Sequence, residues 1–580
     1  MSAVAENAKA KMKKHPRNGG QILVDQLKIH GVDMAFCVPG ESYLPVLDAL
    51  YKTRDSIKLI TTRHEGGAVN MAEAYGKLTG NPGICMVTRG PGATNASIGV
   101  HTAFQDSTPM ILFIGQVGND FIEREAFQEI DYRRMFGQMA KWVAQIDRAE
   151  RIPEFIARAF QVATSGRMGP VVLALPEDTL SSVVEVADAL KYQHGQANTA
   201  IGPSPGEPAL AELSGLLAEA ERPFVIVGGS GWSAAACADL QRFAETQNLP
   251  IGCAFRFQDL LDNEHPHYAG DVGIGINPKL AARIKEADVV LCIGARLGEM
   301  TTGGYTLFES PIPRQRLIHV HAGVEELGRV YQAELMVNST VSAFARAIAA
   351  MPRVTKASID VRTTEARRDY GDWQGRRETP GAVQMWDVMQ HLKSVLPRDA
   401  ILTNGAGNYA SWVHRFYRYG GFRTQLAPTS GAMGYGVPAA IAAKAVYPQR
   451  TVVCFAGDGC FLMTGQELAT AMQYQLNVIF IVVNNGMYGT IRMHQEREFP
   501  GHVHGTALVN PDFAAFAKSF GAHGEVVEKT SEFAAAFERA IKAGKPALIE
   551  VRIDAEAITP NATLSAIRAA GEAAKVAKER

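Results

Sequence analysis

Residues 457–485 read GDGCFLMTGQELATAMQYQLNVIFIVVNN and follow the apolar run TVVCFA at 451–456. Such a run predicts a strand buried on both faces, as in a parallel sheet. Gly457 and Gly459 let the backbone turn sharply and come close to a ligand. FLMTGQELATAM then predicts a helix, whose N-terminus suits an anion, and VIFIVV predicts a second buried strand. Asp458 thus ends one strand, and Asn485 ends the next, 27 residues on (485 − 458). Neighbouring parallel strands bring both residues to one carboxyl edge, where open α/β sheets bind ligands. A carboxylate, an amide oxygen, a main-chain carbonyl and diphosphate oxygens make the octahedral oxygen shell that magnesium takes. A lone GDG reads as a tight turn. Paired with Asn484-Asn485 one crossover later, it predicts a metal–diphosphate site.

The same pattern occurs earlier. AVNMAEAYGKLTG (68–80) is a small-residue helical stretch, ICMVTR a strand, GPG (90–92) a turn, and MILFIG (110–115) a second strand. Its counterpart is AMGYGVPAAIAAKAV (432–446), TVVCFA, GDG and VIFIVV. Gly90 to Pro109 is 19 residues and Gly457 to Asn477 is 20, so the glycine turn falls at the same place in both. Between them RPFVIVGGSGW, ADVVLCIGAR and RLIHVHAG predict a third α/β unit. The fold class is therefore α/β, with three Rossmann-like, doubly wound parallel-sheet domains at 15–185, 195–350 and 380–560. The Pro-, Gly- and charge-rich stretches 186–208 and 352–380 read as linkers. The Ala-rich, charged tail from Thr563 reads as a solvated helix.

Composition narrows the function. The chain has 580 residues, 58 Lys plus Arg and 59 Asp plus Glu, for a net charge of −1. That balance gives no basic surface for nucleic acid or a membrane. No apolar run approaches the ~18 residues of a membrane helix. The basic N-terminal stretch lacks the apolar core of a secretory signal. Seven cysteines, an odd number without a CxxC spacing, read as reduced thiols of a cytoplasmic protein.

GDGCFLMTGQELATAMQYQLNVIFIVVNN resembles the diphosphate-binding signature of thiamine-diphosphate enzymes. RHEGGAVNMAEAYGKLTG, VTRGPGATN, AFQE, GRMGPVVLALPED and SGAMGYGVPAAIAA extend the resemblance to the acetohydroxyacid (acetolactate) synthase-like branch. It implies pyrimidine-binding, middle and diphosphate-binding domains in that order, with thiamine diphosphate and Mg2+ as cofactors. It also implies a homodimer or homotetramer with each active site between two subunits. Glu65 becomes the glutamate that hydrogen-bonds the aminopyrimidine, favouring the tautomer whose nitrogen takes the thiazolium proton. Met433 becomes the residue beneath the cofactor, and Gly431 offers the pyrimidine amino group a carbonyl. Gly407 and Asn408, with the backbone of Gly457, Gly459 and Cys460, become diphosphate contacts. Asp458, Asn485 and the Met487 carbonyl become the magnesium ligands. Phe127 and Gln128 become the pair facing substrate.

The sequence also departs from that branch. Glu41 in PGES stands at a glycine position, Gly66 at a frequent glutamine, and His494 where a tryptophan shapes the second-substrate pocket, with Ile491 at a neighbouring apolar position. Gly294-Ala295-Arg296 resembles a flavin-contacting segment. Yet GDVGIGIN lacks the Met-His-Gly of that branch, and His319 and His321 replace acidic residues, which leaves FAD open. The implied reaction decarboxylates a 2-oxo acid, pyruvate in the acetolactate reading, and joins the remainder to a second carbonyl. The alternatives are a 2-oxo acid decarboxylase or an aldehyde or acyloin lyase on the same cofactor, a flavin-dependent oxidoreductase, and a non-catalytic paralogue.

Overall fold

A computed structural model describes residues 15–189 and 202–579. The N-terminal stretch and the expected start of the middle domain at 195 lie outside the described residues. The chain forms two compact units, one to Ile201 and one from Gly202.

The first unit is built on a six-stranded parallel sheet in the order Lys58–Thr61, Met34–Cys37, Gly83–Val87, Met110–Gln116, Pro170–Pro176, Trp142–Gln145. Numbered along the chain within the sheet, that is 2-1-3-4-6-5. The apolar runs 83–87 and 110–116 are buried at every residue, as two-sided packing requires. Helix Glu65–Thr79 crosses helix Gly90–Asp106 in contact, because a Cβ on Gly99 would lie 2.2 Å from Val69 Cγ1.

The second unit holds two six-stranded parallel sheets. The first runs Tyr268–Val272, Ile251–Ala254, Phe224–Val227, Val289–Ile293, Arg316–His321, Leu335–Asn338. This 3-2-1-4-5-6 order is the Rossmann arrangement. The second runs Gln425–Leu426, Ile401–Asn404, Val452–Gly457, Ile479–Asn484, Ala547–Arg552, His523–Val527. Its order is again 2-1-3-4-6-5, so the internal similarity is a repeated topology. In both copies the glycine turn follows the third strand, next to the point where strand order reverses.

Three local expectations differ from the structure. The helix after GDG is broken into Asp458–Phe461, a 3-10 turn Gly465–Glu467, and Leu468–Gln473. Thr464 interrupts it by donating its hydroxyl to the Gly434 carbonyl (2.7 Å). The stretch 352–380 is not all linker: it contains helix Asp360–Trp373. Ala366 and Tyr370 of that helix are buried against the middle domain, and Asp369 pairs with Arg283 (2.8 Å) and Lys279 (2.9 Å). Its sparse apolar residues hide the helical period among charges.

The tail helix Leu564–Glu579 is not simply solvated; it packs on helix Gly489–Glu498. Glu496 is fully buried there and accepts from Arg492 Nε (2.9 Å), Arg568 Nε (2.7 Å) and the Gly501 N–H (3.1 Å). Arg568 is the largest influence and, with the Gly501 N–H and Arg492, outweighs burial to hold the carboxyl at about 2. Glu496→Gln leaves both guanidinium groups without their anion. Because Arg568 is partly exposed, the expected loss at neutral pH is about 2 kcal/mol, below the ~3–5 kcal/mol of a fully buried pair. A carboxyl lowered on folding stabilises above its unfolded pKa, so the gap between wild type and variant should close as pH falls from about 4.3 towards 2. Urea unfolding at a series of pH values measures it.

Candidate active site

The carboxyl edge of the C-terminal sheet encloses a cavity of about 250 Å3. Gly407, Asn408, Gly431, Met433, Gly457, Asp458, Gly459, Cys460, Asn485 and Met487 all line it. Each stands at or beyond the end of a parallel strand, or on the loop that follows one, so the topology itself gathers them.

Asp458 is 3% exposed. Its Oδ2 accepts from Asn510 Nδ2 at 2.7 Å. Burial pushes the carboxyl above its ordinary value, opposed by Asn510 and by the N–H groups of Gly459, Gly486 and Met487. Among the described residues no Lys, Arg or His pairs with it. A buried carboxylate without a cation is costly, and a bound divalent cation removes that cost. Asn485 supplies an amide oxygen beside it, which also accepts from the Met487 N–H (3.3 Å). No group of three His, Cys, Asp or Glu among the described residues gathers to hold a metal. One carboxylate, one amide and a carbonyl therefore fit a hard ion that completes its shell with diphosphate oxygens.

The glycines of the turn make room for aromatic rings. A Cβ on Gly457 would lie 2.8 Å from the Tyr409 ring, and one on Gly459 would lie 2.5 Å from Tyr488. The Tyr409 hydroxyl accepts from the Gly405 N–H (3.0 Å) and lies 3.3 Å from Cys460 Sγ, which in turn accepts from the Gly434 N–H (3.2 Å). These bonds fix the loops of three strands together. The sequence reading missed Tyr409 and Tyr488, although each follows a residue it singled out. Ile553 and Ile558, which also line the cavity, follow strand Ala547–Arg552 and carry no motif. The Asn408 amide is engaged by Thr490 Oγ1 (3.0 Å) and Met493 Sδ (3.5 Å). Ile491 lines the cavity, whereas His494 is exposed beside Arg497.

In the first unit Glu65 opens helix Glu65–Thr79. Its Oε2 accepts from Asn95 Nδ2 at 2.9 Å, and its Oε1 lies 3.5 Å from where a Cβ of Gly92 would be. It therefore stands at the GPG turn. His64 caps that helix, its Nδ1 accepting from the Gly66 N–H (2.9 Å), which is a structural role. Phe127 and Gln128 lie on a loop that reaches the same turn: the Gly90 N–H donates to the Gln128 carbonyl (2.9 Å) and Arg89 donates to the Phe127 carbonyl (3.4 Å). Phe127 is 70% exposed, and Gln128 is held at φ +65°. Backbone strain of this kind concentrates at ligand sites. Arg89, which the sequence reading passed over, pairs with Glu177 and lies 3.8 Å from Glu41.

The crevice of the middle sheet differs. Arg296, the cation the resemblance would bring to a flavin, is engaged by buried Glu326 (3.2 Å). Trp232 closes over the glycine turn by donating to the Gly228 carbonyl (2.9 Å). His319 and His321 are buried, and burial lowers His319 to about 4, so it stays neutral against the Ala295 carbonyl. Arg296 is thus held by Glu326 and the two histidines by backbone partners.

A glycine turn recurring after the third strand of two like sheets, with a glutamate at the first turn and at the second a buried acid near the amide that follows the next strand, is the pattern of an enzyme that binds a diphosphate cofactor. Family models match all three regions: "Thiamine pyrophosphate enzyme, N-terminal TPP binding domain" over 17–135, the "central domain" over 210–348, and the "C-terminal TPP binding domain" over 405–551. The chain is 30% identical to the acetolactate synthase isozyme 2 large subunit of Escherichia coli K12, covering 93% of this chain and 96% of that protein. It is 31% identical to a probable acetolactate synthase large subunit of Methanocaldococcus jannaschii, covering 93% of each. It is 30% identical to the acetolactate synthase large subunit of Corynebacterium glutamicum, covering 90% of this chain and 84% of that one. The chain belongs to the thiamine-diphosphate enzymes, on their acetolactate synthase-like branch.

Proposed function

We propose that the chain binds thiamine diphosphate with Mg2+, decarboxylates a 2-oxo acid, pyruvate in the first instance, and joins the remaining acyl unit to a second carbonyl. Asp458 carries this reading: a buried carboxylate without a cation, in a cavity lined by every residue expected at the diphosphate end. Asp458, Asn485 and the Met487 carbonyl would hold the metal, and the backbone of Gly459 and Cys460 the diphosphate. The bound cofactor supplies the electron sink that lets carbon dioxide leave. Glu65 holds the proton at the aminopyrimidine, and Phe127 and Gln128 face the substrate. Met433, Ile553 and Ile558 give the cavity an apolar wall that excludes water.

No helix among the described residues is long and apolar enough to cross a membrane, and all seven cysteines are free thiols. We place the enzyme in the cytoplasm as a homodimer or homotetramer, with Glu65 of one copy serving the cavity of another. No step runs through a flavin, since the reaction has no net redox change.

Glu41 favours a second reading of the acceptor. The resemblance sets its loop at the thiazolium, and Arg89 is shared between Glu41 and Glu177. An anionic second pyruvate meets two carboxylates that share one guanidinium there, a net negative charge that a neutral aldehyde does not feel. The test is incubation of the purified protein with pyruvate, thiamine diphosphate and Mg2+, with and without added aldehydes, and product identification by NMR. Acetolactate supports the synthase reading, and a mixed acyloin formed only with aldehyde supports the second. Absence of any pyruvate-derived product would remove pyruvate as the donor.

A further inference from the structure

We propose that Asn510 is the positioning residue that holds the Asp458 carboxylate for its metal and, through the same amide, ties the metal centre to the helical excursion between residues 486 and 508. The inference rests on reading Asp458 as a metal ligand.

One Asn510 nitrogen serves two acceptors: Nδ2 donates to Asp458 Oδ2 at 2.7 Å and to Asn484 Oδ1 at 2.9 Å. Asn484 is itself fixed. Its Oδ1 also accepts from the Gly486 N–H (3.0 Å), and its Nδ2 donates to Glu550 Oε1 (2.8 Å). Glu550 is 1% exposed and bound by Arg552 Nε (2.9 Å). The chain of bonds therefore runs Arg552–Glu550–Asn484–Asn510–Asp458 across three adjacent strand ends. It is anchored on buried Glu550, which an exposed arginine holds from the solvent side, and ends on one carboxylate oxygen. Engaging Oδ2 fixes the plane of the carboxylate and so the direction in which it meets a cation. Ligand carboxylates owe their orientation to outer partners of this kind.

Asn510 also closes a loop. Between Gly486 and Leu508 the chain leaves the sheet, forms helix Gly489–Glu498, and returns. The return is paired to the departure by Leu508 N–H to the Gly486 carbonyl (2.9 Å) and Tyr488 N–H to the Thr506 carbonyl (2.9 Å). Asn510 lies two residues past that seam and locks it to the third and fourth strands of the sheet. Tyr488, Thr490 and Ile491 of the excursion line the cavity. Whatever fixes Asp458 thus also fixes that wall of the site, and metal binding tightens both.

The test compares wild type, Asn510→Asp, Asn510→Ser and Asp458→Ala as full-length protein. Mg2+ is titrated by calorimetry in excess thiamine diphosphate, and backbone amide exchange over 486–508 is followed by mass spectrometry. In Asn510→Asp the donor becomes a second carboxylate facing Asp458; in Asn510→Ser the reach is lost without added charge. Both variants should bind Mg2+ about 10- to 100-fold more weakly. At saturating Mg2+ both should lose the protection of 486–508 that wild type gains, while the unliganded melting temperature of Asn510→Ser stays near that of wild type. Mg2+ affinity within twofold of wild type in both variants, or unchanged protection, overturns the role of Asn510. If Asp458→Ala binds Mg2+ as wild type does, the metal reading itself fails, and the two failures are told apart.

Discussion

Replacing Glu65 with glutamine should leave thiamine diphosphate and Mg2+ bound while turnover falls by about 10^2- to 10^4-fold, the usual contribution of a positioned acid–base group. Glutamine keeps the size of the side chain and one carbonyl oxygen to accept from Asn95, which holds Glu65 at 2.9 Å. It also keeps the helix start, since the cap of helix Glu65–Thr79 is His64. What it loses is the carboxyl that can share a proton with the pyrimidine ring nitrogen. Two measurements separate this role from a structural one. Cofactor binding by calorimetry should change little. Exchange of the thiazolium C2 proton into deuterium oxide, followed by NMR on the quenched mixture, should slow with turnover. Unchanged exchange would reduce Glu65 to a residue that offsets the positive end of its helix.

The parts of the site legible in the sequence are those that parallel-sheet geometry brings together. Asp458 and Asn485 each stand at the end of an apolar run, and adjacent strands Val452–Gly457 and Ile479–Asn484 must carry them to one edge. The GPG turn was legible for the same reason, whereas Glu65 was singled out only by the resemblance; the structure sets its carboxylate beside that turn. Asn510 was not, because it reaches Asp458 from beyond an excursion of more than twenty residues whose two ends pair with each other. Arg568 was not, since its partner Glu496 is 72 residues away and the tail is mostly small and charged residues with few large apolar ones. Gln128 was placed with substrate by its motif, but its φ of +65° is set by a backbone bond to Gly90 that no local pattern encodes. Helix Asp360–Trp373 failed the periodicity test because only two buried apolar residues, Ala366 and Tyr370, and one shared acid, Asp369, carry much of its attachment.

Replacing Asp458 with alanine should have the opposite signature to Glu65→Gln: both cofactors lost together, with affinity for Mg2+ in excess thiamine diphosphate down by more than about 100-fold, beyond what an outer partner costs. Among the described residues Asp458 offers the only carboxylate lining the cavity, so its removal takes away the fixed negative charge they present there to a divalent ion. The diphosphate then meets Asn485 and the backbone without a bridging cation, and its own charge is left unbalanced in a partly enclosed site. The unliganded protein should tell a different story. Burial raises the Asp458 carboxyl above its ordinary value, so without metal this residue is a strained group. Alanine also frees one bond of Asn510, whose Nδ2 retains Asn484 at 2.9 Å. The unliganded variant should therefore melt at or near the temperature of the unliganded wild type, and the stabilisation that Mg2+ and thiamine diphosphate give wild type should vanish. Thermal melts with and without both cofactors measure the two quantities in one experiment. A variant that melts far below unliganded wild type would make Asp458 a folding determinant, whereas one still stabilised by the cofactors would place the metal elsewhere.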